Sequence, residues 1–471
     1  MRTLTVMEPP PLGVPSAAEF LAVCAGLSET FHAKGPLVAL DEFLTMLVGF
    51  DWQRESERDL PGSVVAMQRD ALTFFESDLP ALLSWEFDSE DAARITLALT
   101  WDYPGALDRG HSGPMNASQQ TADEVSERLF GSLLGTVEIM SVYLGDRLGW
   151  YRSLAGDGPA SAVELARRTD TQVRYAREWL EQQAVAGLLA VESDGAPDDR
   201  RFAIPPSTAE VMTEESSLAY LAPLGRMLGA VGPVLPRLLE VYRNGGGVSW
   251  DDLGDDARES QADANRPWYE KHLGPALAGV PAVHDVLAVP GCRVLDVGCG
   301  GGWSSISLAR AYPSAMVLGV DIDQASVDLA VANARDAGVG ERVRFVCQDA
   351  ASLPAGTVDV AFAFECVHDM PRPVEVLSAV RRTLAPGGSL VVMDEAVADA
   401  FAPDGDDLER IMYGFSLFVC LPDGLSSSPS VGTGRVMRPS TLQGYGEDAG
   451  FGAFEVLPIE GFRFWRFYRL T

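Results

Sequence analysis

A short glycine-rich turn after an apolar strand constrains the fold of this chain more than any other feature. Residues 293–302 read Arg-Val-Leu-Asp-Val-Gly-Cys-Gly-Gly-Gly, and a helix-like stretch, Trp303 to Tyr312, follows directly. Glycines allow positive φ angles and a close approach of the backbone to a ligand, and the free N–H groups at a helix start favour a carboxylate or phosphate. The arrangement therefore predicts a strand, a turn and a helix that hold a nucleotide-like ligand.

Four further apolar runs follow at regular intervals, with helical patterns between them. They cover residues 316–320, 343–346, 358–364 and 389–393. Strands that alternate with helices favour a parallel sheet, and the ligands of such sheets bind at the carboxyl ends of the strands. The alternating residues 462–469 predict an edge or antiparallel strand that closes the sheet. Residues 286–471 are therefore predicted to form one α/β domain.

Acidic residues stand where the predicted strands end. Asp321 follows the second strand, where its carboxylate can accept hydrogen bonds from a ribose diol, and Asp349 follows the third, where it can accept one from an adenine amino group. Asp296 lies two residues before the first glycine, and the glycines are spaced Gly-x-Gly-x-Gly rather than Gly-x-Gly-x-x-Gly. With these features the chain resembles the class I S-adenosylmethionine-dependent methyltransferases. A nicotinamide-binding or non-binding Rossmann-like domain is the alternative.

The resemblance implies a Rossmann-like sheet of seven strands and S-adenosylmethionine as the cofactor. In that family the glycine loop carries the methionine end of the cofactor, the acid after the second strand holds the ribose, and the acid after the third strand faces the adenine. Carried over to this sequence, the expected cofactor-binding residues are Asp296, Gly298, Gly300, Gly302, Asp321, Asp349 and Glu365.

One of the five histidines lies at the mouth of the expected site. His368 follows the fourth strand, and Asp369 and the pair Asp394-Glu395 are placed to orient its imidazole. The segment around His368 resembles the Cys-His-Asp segment of plant-type phenolic O-methyltransferases, in which the histidine is the base and an acid after the fifth strand supports it. A role in lining the cofactor pocket or capping the next helix is the alternative for His368. The expected catalytic residues are His368, Asp369 and Glu395.

An insertion after the fifth strand, Phe401 to Arg438, is placed to cover the acceptor as a lid. Its aromatic content suits a flat, apolar acceptor, although residues at helical spacing could equally form core. The residues expected to line the acceptor pocket are Trp268, Tyr269, Met412, Tyr413 and Phe415. We therefore expect methylation of a small aromatic secondary metabolite, most plausibly at oxygen. Decarboxylation or hydroxylation on the same scaffold is the alternative.

A different pattern, two helices followed by a hairpin, covers residues 116–210 and is typical of a winged helix. Thr121 with Glu124, and Ser161 with Glu164, predict capping boxes, and Asp194-Gly195 predicts the hairpin turn. The order resembles that of small-molecule methyltransferases, which join an N-terminal winged-helix dimerisation domain to the catalytic domain. The long amphipathic helix from Val125 to Leu148 is therefore the expected contact of a homodimer.

A DNA-binding regulator that senses S-adenosylmethionine is the rival hypothesis for this winged helix. Glu178 and Glu181 lie on or beside the face of the would-be recognition helix, and the wing carries further acids. A protein that binds a DNA groove needs surplus positive charge on this face. With a net charge of -31 for the whole chain, nucleic acid is not an expected partner.

Length and composition limit the expected number of domains, the kinds of site and the cellular location of the protein. The 471 residues are enough for two or three domains, and no stretch reaches the length of a membrane span. Six scattered cysteines indicate neither a disulfide framework nor a zinc site, and a metal at Glu365, His368 and Asp369 is not expected because no further ligand is spaced to complete it. We expect a soluble cytoplasmic protein without a membrane partner. With only two lysines, Lys34 and Lys271, the chain suggests a GC-rich bacterial genome.

The remaining regions carry weaker signals. Residues 1–115 are predicted to be a mainly helical extension, and the segments 74–82, 92–96 and 112–115 resemble the cap region of some α/β-hydrolases. Because no Gly-x-Ser-x-Gly elbow occurs there, this segment is expected to be non-catalytic. Residues 211–285 are predicted to be a helical linker region.

Overall fold

A computed structural model describes residues 27–28, 30–48, 71, 120–193, 196, 199–356, 358–462 and 464–471. The chain forms two compact units, residues 1–106 and 107–471. In the first unit the structure describes a helix, α1 (Pro36–Val48), which agrees with the expected helical character. Three segments that resemble a hydrolase cap lie outside the described residues, at 74–82, 92–96 and 112–115. The predicted boundaries at 115, 210 and 285 stay predictions.

The second unit begins with the winged-helix region. Its capping boxes at Thr121–Glu124 and Ser161–Glu164 are both formed, as predicted, and the hairpin pairs Val191 with Phe202. The predicted turn at Asp194-Gly195 lies outside the described residues. The elements are α2 (Ala122–Arg147), α3 (Trp150–Asp157), α4 (Ala162–Thr169), α5 (Val173–Val185), β1 (Ala190–Ser193), β2 (Arg201–Ala203) and α6 (Pro206–Thr213).

Five helical segments join this region to the sheet. They are α7 (Ala222–Asn244), α8 (Trp250–Trp268), a π-helical turn (Tyr269–Leu273), α9 (Gly274–Ala278) and α10 (Pro281–Leu287). Ser249 caps α8, and Gly254 breaks its first turn with a φ of 73°. Arg226 of α7 is buried and pairs with Asp146 of α2 at 2.6 Å and with Asp263 of α8 at 2.6 Å. A buried cation between two acids therefore fixes α2, α7 and α8 to one another.

A seven-stranded sheet forms the rest of the unit, as predicted. Its order is β5-β4-β3-β6-β7-β9-β8, in which β3 to β7 are parallel and β9 is antiparallel to β7 and β8. The strands are β3 (Arg293–Val297), β4 (Met316–Asp321), β5 (Val343–Cys347), β6 (Val358–Phe364), β7 (Leu384–Glu395), β8 (Phe454–Val456) and β9 (Trp465–Leu470).

Helices cover both faces of this sheet. Neighbouring residues of one strand enter opposite layers of the core, as Val391 and Val392 do, because side chains alternate along a strand. The helices are α11 (Trp303–Ala311), α12 (Gln324–Asp336), α13 (Pro373–Thr383), α14 (Asp407–Phe415), α15 (Leu421–Gly424) and α16 (Pro439–Asp448), with short turns at Ala350–Ser352, Val367–Asp369 and Ser416–Cys420. Among the helices that the structure describes, none has the length and apolar character needed to cross a bilayer.

Candidate active site

The loop between β3 and α11 runs close against the ends of two other strands. Gly298, Gly300 and Gly302 all have positive φ angles, of 66°, 50° and 82°. A Cβ atom on Gly298 would lie 2.7 Å from the Cβ of Cys366, and one on Gly302 would lie 2.7 Å from the ring of Phe345. Both glycines are therefore required by conformation and by space. The loop presents bare backbone at the carboxyl edge of the sheet, as the sequence predicts.

Asp296 lies beneath this loop. Its side chain is fully buried and accepts hydrogen bonds of 2.6 Å from the hydroxyl groups of Ser304 and Ser305. Burial raises the pKa of Asp296 to about 6, although the two serine hydroxyls act in the opposite direction. The carboxyl group thus ties the end of β3 to the first turn of α11. Its predicted contact with a cofactor stays a prediction.

Asp321 and Asp349 stand beside the loop at the ends of neighbouring strands. The carboxylate of Asp321 accepts hydrogen bonds from the backbone N–H groups of Gly300 at 2.9 Å and Asp323 at 3.0 Å, and burial raises its pKa. Asp349 accepts one from the N–H of Ala351 at 2.8 Å. Each carboxylate oxygen can accept more than one hydrogen bond, so both acids can still receive a ligand donor. The exposed backbone of the glycine loop, with Asp321 and Asp349 beside it, fits the contacts expected for the methionine, ribose and adenine parts of S-adenosylmethionine.

Glu365, directly after β6, forms hydrogen bonds with side chains from distant parts of the chain. Its φ of 49° is unusual for a residue with a side chain and costs about 1–2 kcal/mol. The carboxylate accepts hydrogen bonds from four side chains: Arg435 at 2.9 Å, Gln261 at 3.1 Å, Asn265 and the indole of Trp465. Glu365 therefore joins four segments at the acceptor end of the site. Its predicted cofactor contact stays a prediction.

His368 is almost fully buried among acids at the end of the same strand. Its Nδ1 lies 2.9 Å from Asp394 Oδ1 and 3.3 Å from Glu395 Oε2, while its Nε2 lies 3.4 Å from Asp369 Oδ1. Within the described part of the chain, Nε2 has no hydrogen-bond partner. Burial alone would lower the pKa of His368, but the three carboxylates outweigh it and hold the pKa well above its usual range.

The two acids at the end of β7 have different partners. Asp394 is the nearer partner of His368, and Glu395 forms an ion pair with Arg435, whose Nε lies 2.7 Å from Glu395 Oε1. Burial would raise the pKa of Asp394, but the charge of His368 and the contact with Glu395 hold it below its usual range. Burial raises the pKa of Glu395 well above its usual range. Glu395 was expected to support the imidazole, and the geometry places Asp394 closer.

Arg435 contacts two of the residues expected to line the acceptor pocket, Met412 and Phe415. Its Nε lies 3.2 Å from the sulfur of Met412, and its guanidinium carbon lies 5.4 Å from the ring centre of Phe415. Tyr413 points elsewhere, because its hydroxyl accepts from Arg438 at 3.2 Å and its side chain is partly exposed. Arg435 could not be predicted from the sequence, because an isolated arginine in a serine-rich loop gives no local signal.

Trp268 and Tyr269 lie at the end of α8, on the other side of Glu365. The indole of Trp268 packs edge-on against Trp465, with ring centres 5.5 Å apart. The ring of Tyr269 packs edge-on against Phe364, the last residue of β6, also at 5.5 Å. Both side chains are buried. Both side chains thus pack into the core beside β6 and β9, and their predicted contact with an acceptor stays a prediction.

Among the residues that the structure describes, two groups of side chains bring possible metal ligands together. The ligand atoms of His368, Asp369 and Cys420 lie within 4.8 Å of one another, and so do those of His368, Asp394 and Glu395. The second group already binds its histidine through Nδ1. The prediction that no metal takes part stays a prediction.

Comparisons with known proteins agree with this geometry. A family model described as a methyltransferase domain matches residues 294–388, and a model described as an Rv2258c-like winged helix-turn-helix domain matches residues 135–214. This chain contains a class I methyltransferase domain. Domains of this class use S-adenosylmethionine, so the predicted cofactor is confirmed together with the seven-stranded fold and the winged helix.

Relatives of the methyltransferase domain act at different atoms. The chain is 37% identical to 27-O-demethylrifamycin SV methyltransferase from Amycolatopsis mediterranei over 123 residues, which are 26% of this chain and 45% of the relative. It is 30% identical to 24-methylenesterol C-methyltransferase 2 from Oryza sativa over 164 residues, 32% of this chain and 45% of the relative. The matches thus span about half the length of these curated relatives.

Solved structures match a larger part of the chain. Mitomycin 7-O-methyltransferase has a TM-score of 0.56 at 19% identity, over 74% of this chain and 98% of that protein. Human N-acetylserotonin methyltransferase, solved in complex with its methyl donor, has a TM-score of 0.55 at 17% identity, over 75% of this chain and 99% of that protein. At such identities the likeness shows the fold alone.

Proposed function

We propose that this protein transfers the methyl group of S-adenosylmethionine to a hydroxyl oxygen of a small aromatic acceptor, a bacterial secondary metabolite. The observation that carries the proposal is the setting of His368. With Nδ1 as donor to Asp394, the imidazole is in the tautomer whose Nε2 can take up a proton, and Nε2 has no hydrogen-bond partner among the described residues. This is the arrangement of a general base.

The reaction needs such a base because of its acceptor. The bound cofactor supplies an electrophilic methyl group on a sulfonium leaving group, and a phenol with a pKa of about 10 attacks poorly while it is protonated. His368 Nε2 takes the hydroxyl proton as the oxygen attacks, and Asp394 with Glu395 stabilises the imidazolium that forms. General-base catalysis of this kind contributes about 100- to 10,000-fold.

The donor and the base lie next to each other in this proposal. The end of β6 touches the glycine loop, since a Cβ on Gly298 would collide with Cys366, two residues before His368. A methyl group carried by the loop would therefore emerge beside the imidazole. Holding the acceptor oxygen in line with that methyl group supplies the remainder of the catalysis.

The insertion 401–438 serves as the lid of the acceptor pocket. Its backbone covers the base, because the N–H of Gly434 donates to the carbonyl of His368 at 3.1 Å, and Arg435 extends over Glu395. Met412 and Phe415 offer an apolar and an aromatic surface beside this arginine. The segment must open to admit the acceptor, and its aromatic wall suits a flat ring.

The protein acts as a homodimer through α2. Eight large apolar side chains on this helix and at its end are between 39% and 60% exposed in the single chain, which is unusual for a surface helix. A second copy of the same stripe would cover them in an isologous contact. The stripe comprises Leu129, Phe130, Leu133, Leu134, Val137, Met140, Leu144 and Leu148.

The winged helix does not bind nucleic acid in this proposal. On α5, Arg174 forms an ion pair with Glu178, which supports the absence of a nucleic-acid partner.

Two measurements test the proposed function in sequence. Calorimetry with S-adenosylmethionine should first show binding to the purified chain. Incubation with the methyl-labelled cofactor and a bacterial metabolite extract should then yield a labelled aromatic ether, identified by mass spectrometry. Label on nitrogen or carbon would overturn oxygen as the acceptor atom, and binding without any labelled product would favour another reaction on this scaffold.

A further inference from the structure

A buried arginine on α8 clamps the loop that carries the expected ribose-binding acid. The Arg258 side chain is 6% exposed and holds Asp323 with two hydrogen bonds, Nε to Oδ2 at 2.6 Å and Nη2 to Oδ1 at 3.0 Å. Its other partners, Asp251 and Asp255, are more than 80% exposed. Asp323 is thus the partner that shares its buried environment, and bidentate pairs of this kind impose a specific geometry.

Asp323 passes this constraint to Asp321. The side chain of Asp323 caps α12 by accepting from the N–H of Ser326 at 2.9 Å, so its position sets the start of that helix. Its own backbone N–H donates to the carboxylate of Asp321 at 3.0 Å. The other oxygen of Asp321 accepts from the N–H of Gly300 at 2.9 Å. One continuous chain of hydrogen bonds therefore runs from α8 to the glycine loop.

The same helix touches the glycine loop directly. A Cβ atom on Gly301 would lie 2.6 Å from the Cβ of Ala262, one turn beyond Arg258, so the loop packs tightly on this face of α8. One residue earlier, Gln261 donates to Glu365. Three successive contacts of α8 thus reach the ends of β3, β4 and β6.

We propose that Arg258 is a positioning residue of the cofactor site. It fixes Asp323 and, through Asp323, orients the carboxylate of Asp321 toward the ribose hydroxyls of S-adenosylmethionine. The inference rests on the proposed function, because it takes Asp321 as the ribose ligand. Arg258 itself does not touch the cofactor, and its contribution is to the geometry of the acid.

Calorimetry on the full chain tests this role. Arg258→Gln removes the charge and the bidentate pair, and should weaken binding of S-adenosylmethionine and S-adenosylhomocysteine by about tenfold or more, as expected for a charge-assisted hydrogen bond. Arg258→Lys keeps the charge and should restore most of the affinity. The double variant with Asp323→Asn should be no weaker than Arg258→Gln alone, because both changes break the same contact.

A ribose-deficient ligand separates positioning from simple destabilisation. In the natural chain the 2′,3′-dideoxy analogue of S-adenosylhomocysteine should bind at least about tenfold more weakly than the parent compound. In Arg258→Gln this difference should shrink, since Asp321 is no longer oriented. A change in overall stability would lower both affinities together and leave their ratio unchanged.

Arg147→Gln is the matched control on the opposite face of α8. Arg147 comes from α2 and pairs with Asp256 and Glu259, without contact to the cofactor loops. Its affinity for S-adenosylmethionine should stay within about twofold of the natural chain. The inference is overturned if Arg258→Gln folds and retains both the affinity and the dideoxy ratio, or if Arg147→Gln loses as much. Failure of the natural chain to bind at all would instead overturn the proposed function.

Discussion

The two halves of the proposed active site, the donor side for S-adenosylmethionine and the acceptor side for its substrate, are built in different ways. On the donor side, Asp296, Asp321 and Asp349 contact backbone N–H groups and hydroxyls at most 21 positions away. On the acceptor side, Glu365 binds side chains 70 to 104 positions away, and His368 binds an acid 26 positions away on the next strand. The donor side is thus formed mainly by local backbone contacts, with distant support from Arg258 of α8 through Asp323, and the acceptor side by side chains that only the complete fold brings together.

This difference offers a way to understand how the relatives vary. The methyltransferase family model matches residues 294–388, which include the glycine loop, and the relatives of this chain include both a 27-O-demethylrifamycin SV methyltransferase and a sterol C-methyltransferase. A local, backbone-built donor side can persist while distant side chains on the acceptor side are exchanged. Variants that act on one half and spare the other therefore test whether the two halves are separable.

Removal of the base should have the largest effect. His368→Ala should reduce methyl transfer by about 100- to 10,000-fold because the acceptor hydroxyl keeps its proton. Affinity for S-adenosylmethionine, measured by calorimetry, should change by less than about twofold. Single-turnover assays with labelled cofactor give the transfer rate. Unchanged turnover would remove His368 from the mechanism, and a large loss of cofactor affinity would show that the halves are not independent.

A methyl group added to the loop should act on the donor side. Gly298→Ala must adopt a positive φ, which costs about 1–2 kcal/mol, and must also displace Cys366. Cofactor affinity should fall about tenfold or more, measured by calorimetry.

Gly338→Ala is the control for this change. Gly338 also has a positive φ, of 71°, but a Cβ there meets no neighbouring atom within 4 Å. It should lower the melting temperature while leaving cofactor affinity unchanged. Equal affinity losses in both variants would mean that strain in general, rather than crowding of the loop, weakens binding.

The pH dependence of turnover sharpens the description of the acceptor side. The neighbouring carboxylates hold the pKa of His368 above its usual range, and only the neutral imidazole can act as the base, so kcat/KM should rise as the pH is increased through that pKa. Asp369→Asn removes one of the carboxylates that raise the pKa, and should move this rise to lower pH by on the order of one unit. A pH profile that does not move would assign it to another group.

Changes on α2 should affect neither half. Leu133→Glu combined with Val137→Glu places charges in the middle of the exposed stripe, and sedimentation analysis should show a shift from dimer to monomer. Cofactor affinity of the monomer should remain within about twofold. A natural chain that sediments as a monomer would contradict the dimer, and a lost cofactor affinity in the variant would connect the stripe to the donor side.

Local patterns predicted most of the fold and the presence of acids at the strand ends. The strands, the capping boxes at Thr121 and Ser161, and the acids at strand ends follow from periodicity and residue type over a few positions. The last strand was predicted to be an edge or antiparallel strand, and β9 is antiparallel to β7 and β8, with β8 at the edge of the sheet. These features depend on backbone conformation, which neighbouring residues largely determine.

The acceptor side was predicted only in part. The sequence placed an acid pair after β7, but it could not tell that Asp394 lies nearer to His368 than Glu395 does, since the difference is 2.9 Å against 3.3 Å. Arg435 and Arg258 were missed because their role depends on partners far along the chain. No residue type or spacing near either arginine marks it as part of a site.

The position of α8 has a practical consequence for dissection of the protein. The helix precedes the matched methyltransferase residues by about 26 positions, yet Arg258, Gln261 and Ala262 support the loops at the carboxyl edge of the sheet. An expressed fragment that starts at β3 would retain all seven strands of the large sheet and the glycines of the loop but would lack this support. A catalytic fragment should therefore include α8, which lies between the winged-helix region and the sheet. The chain is best divided before Ser249.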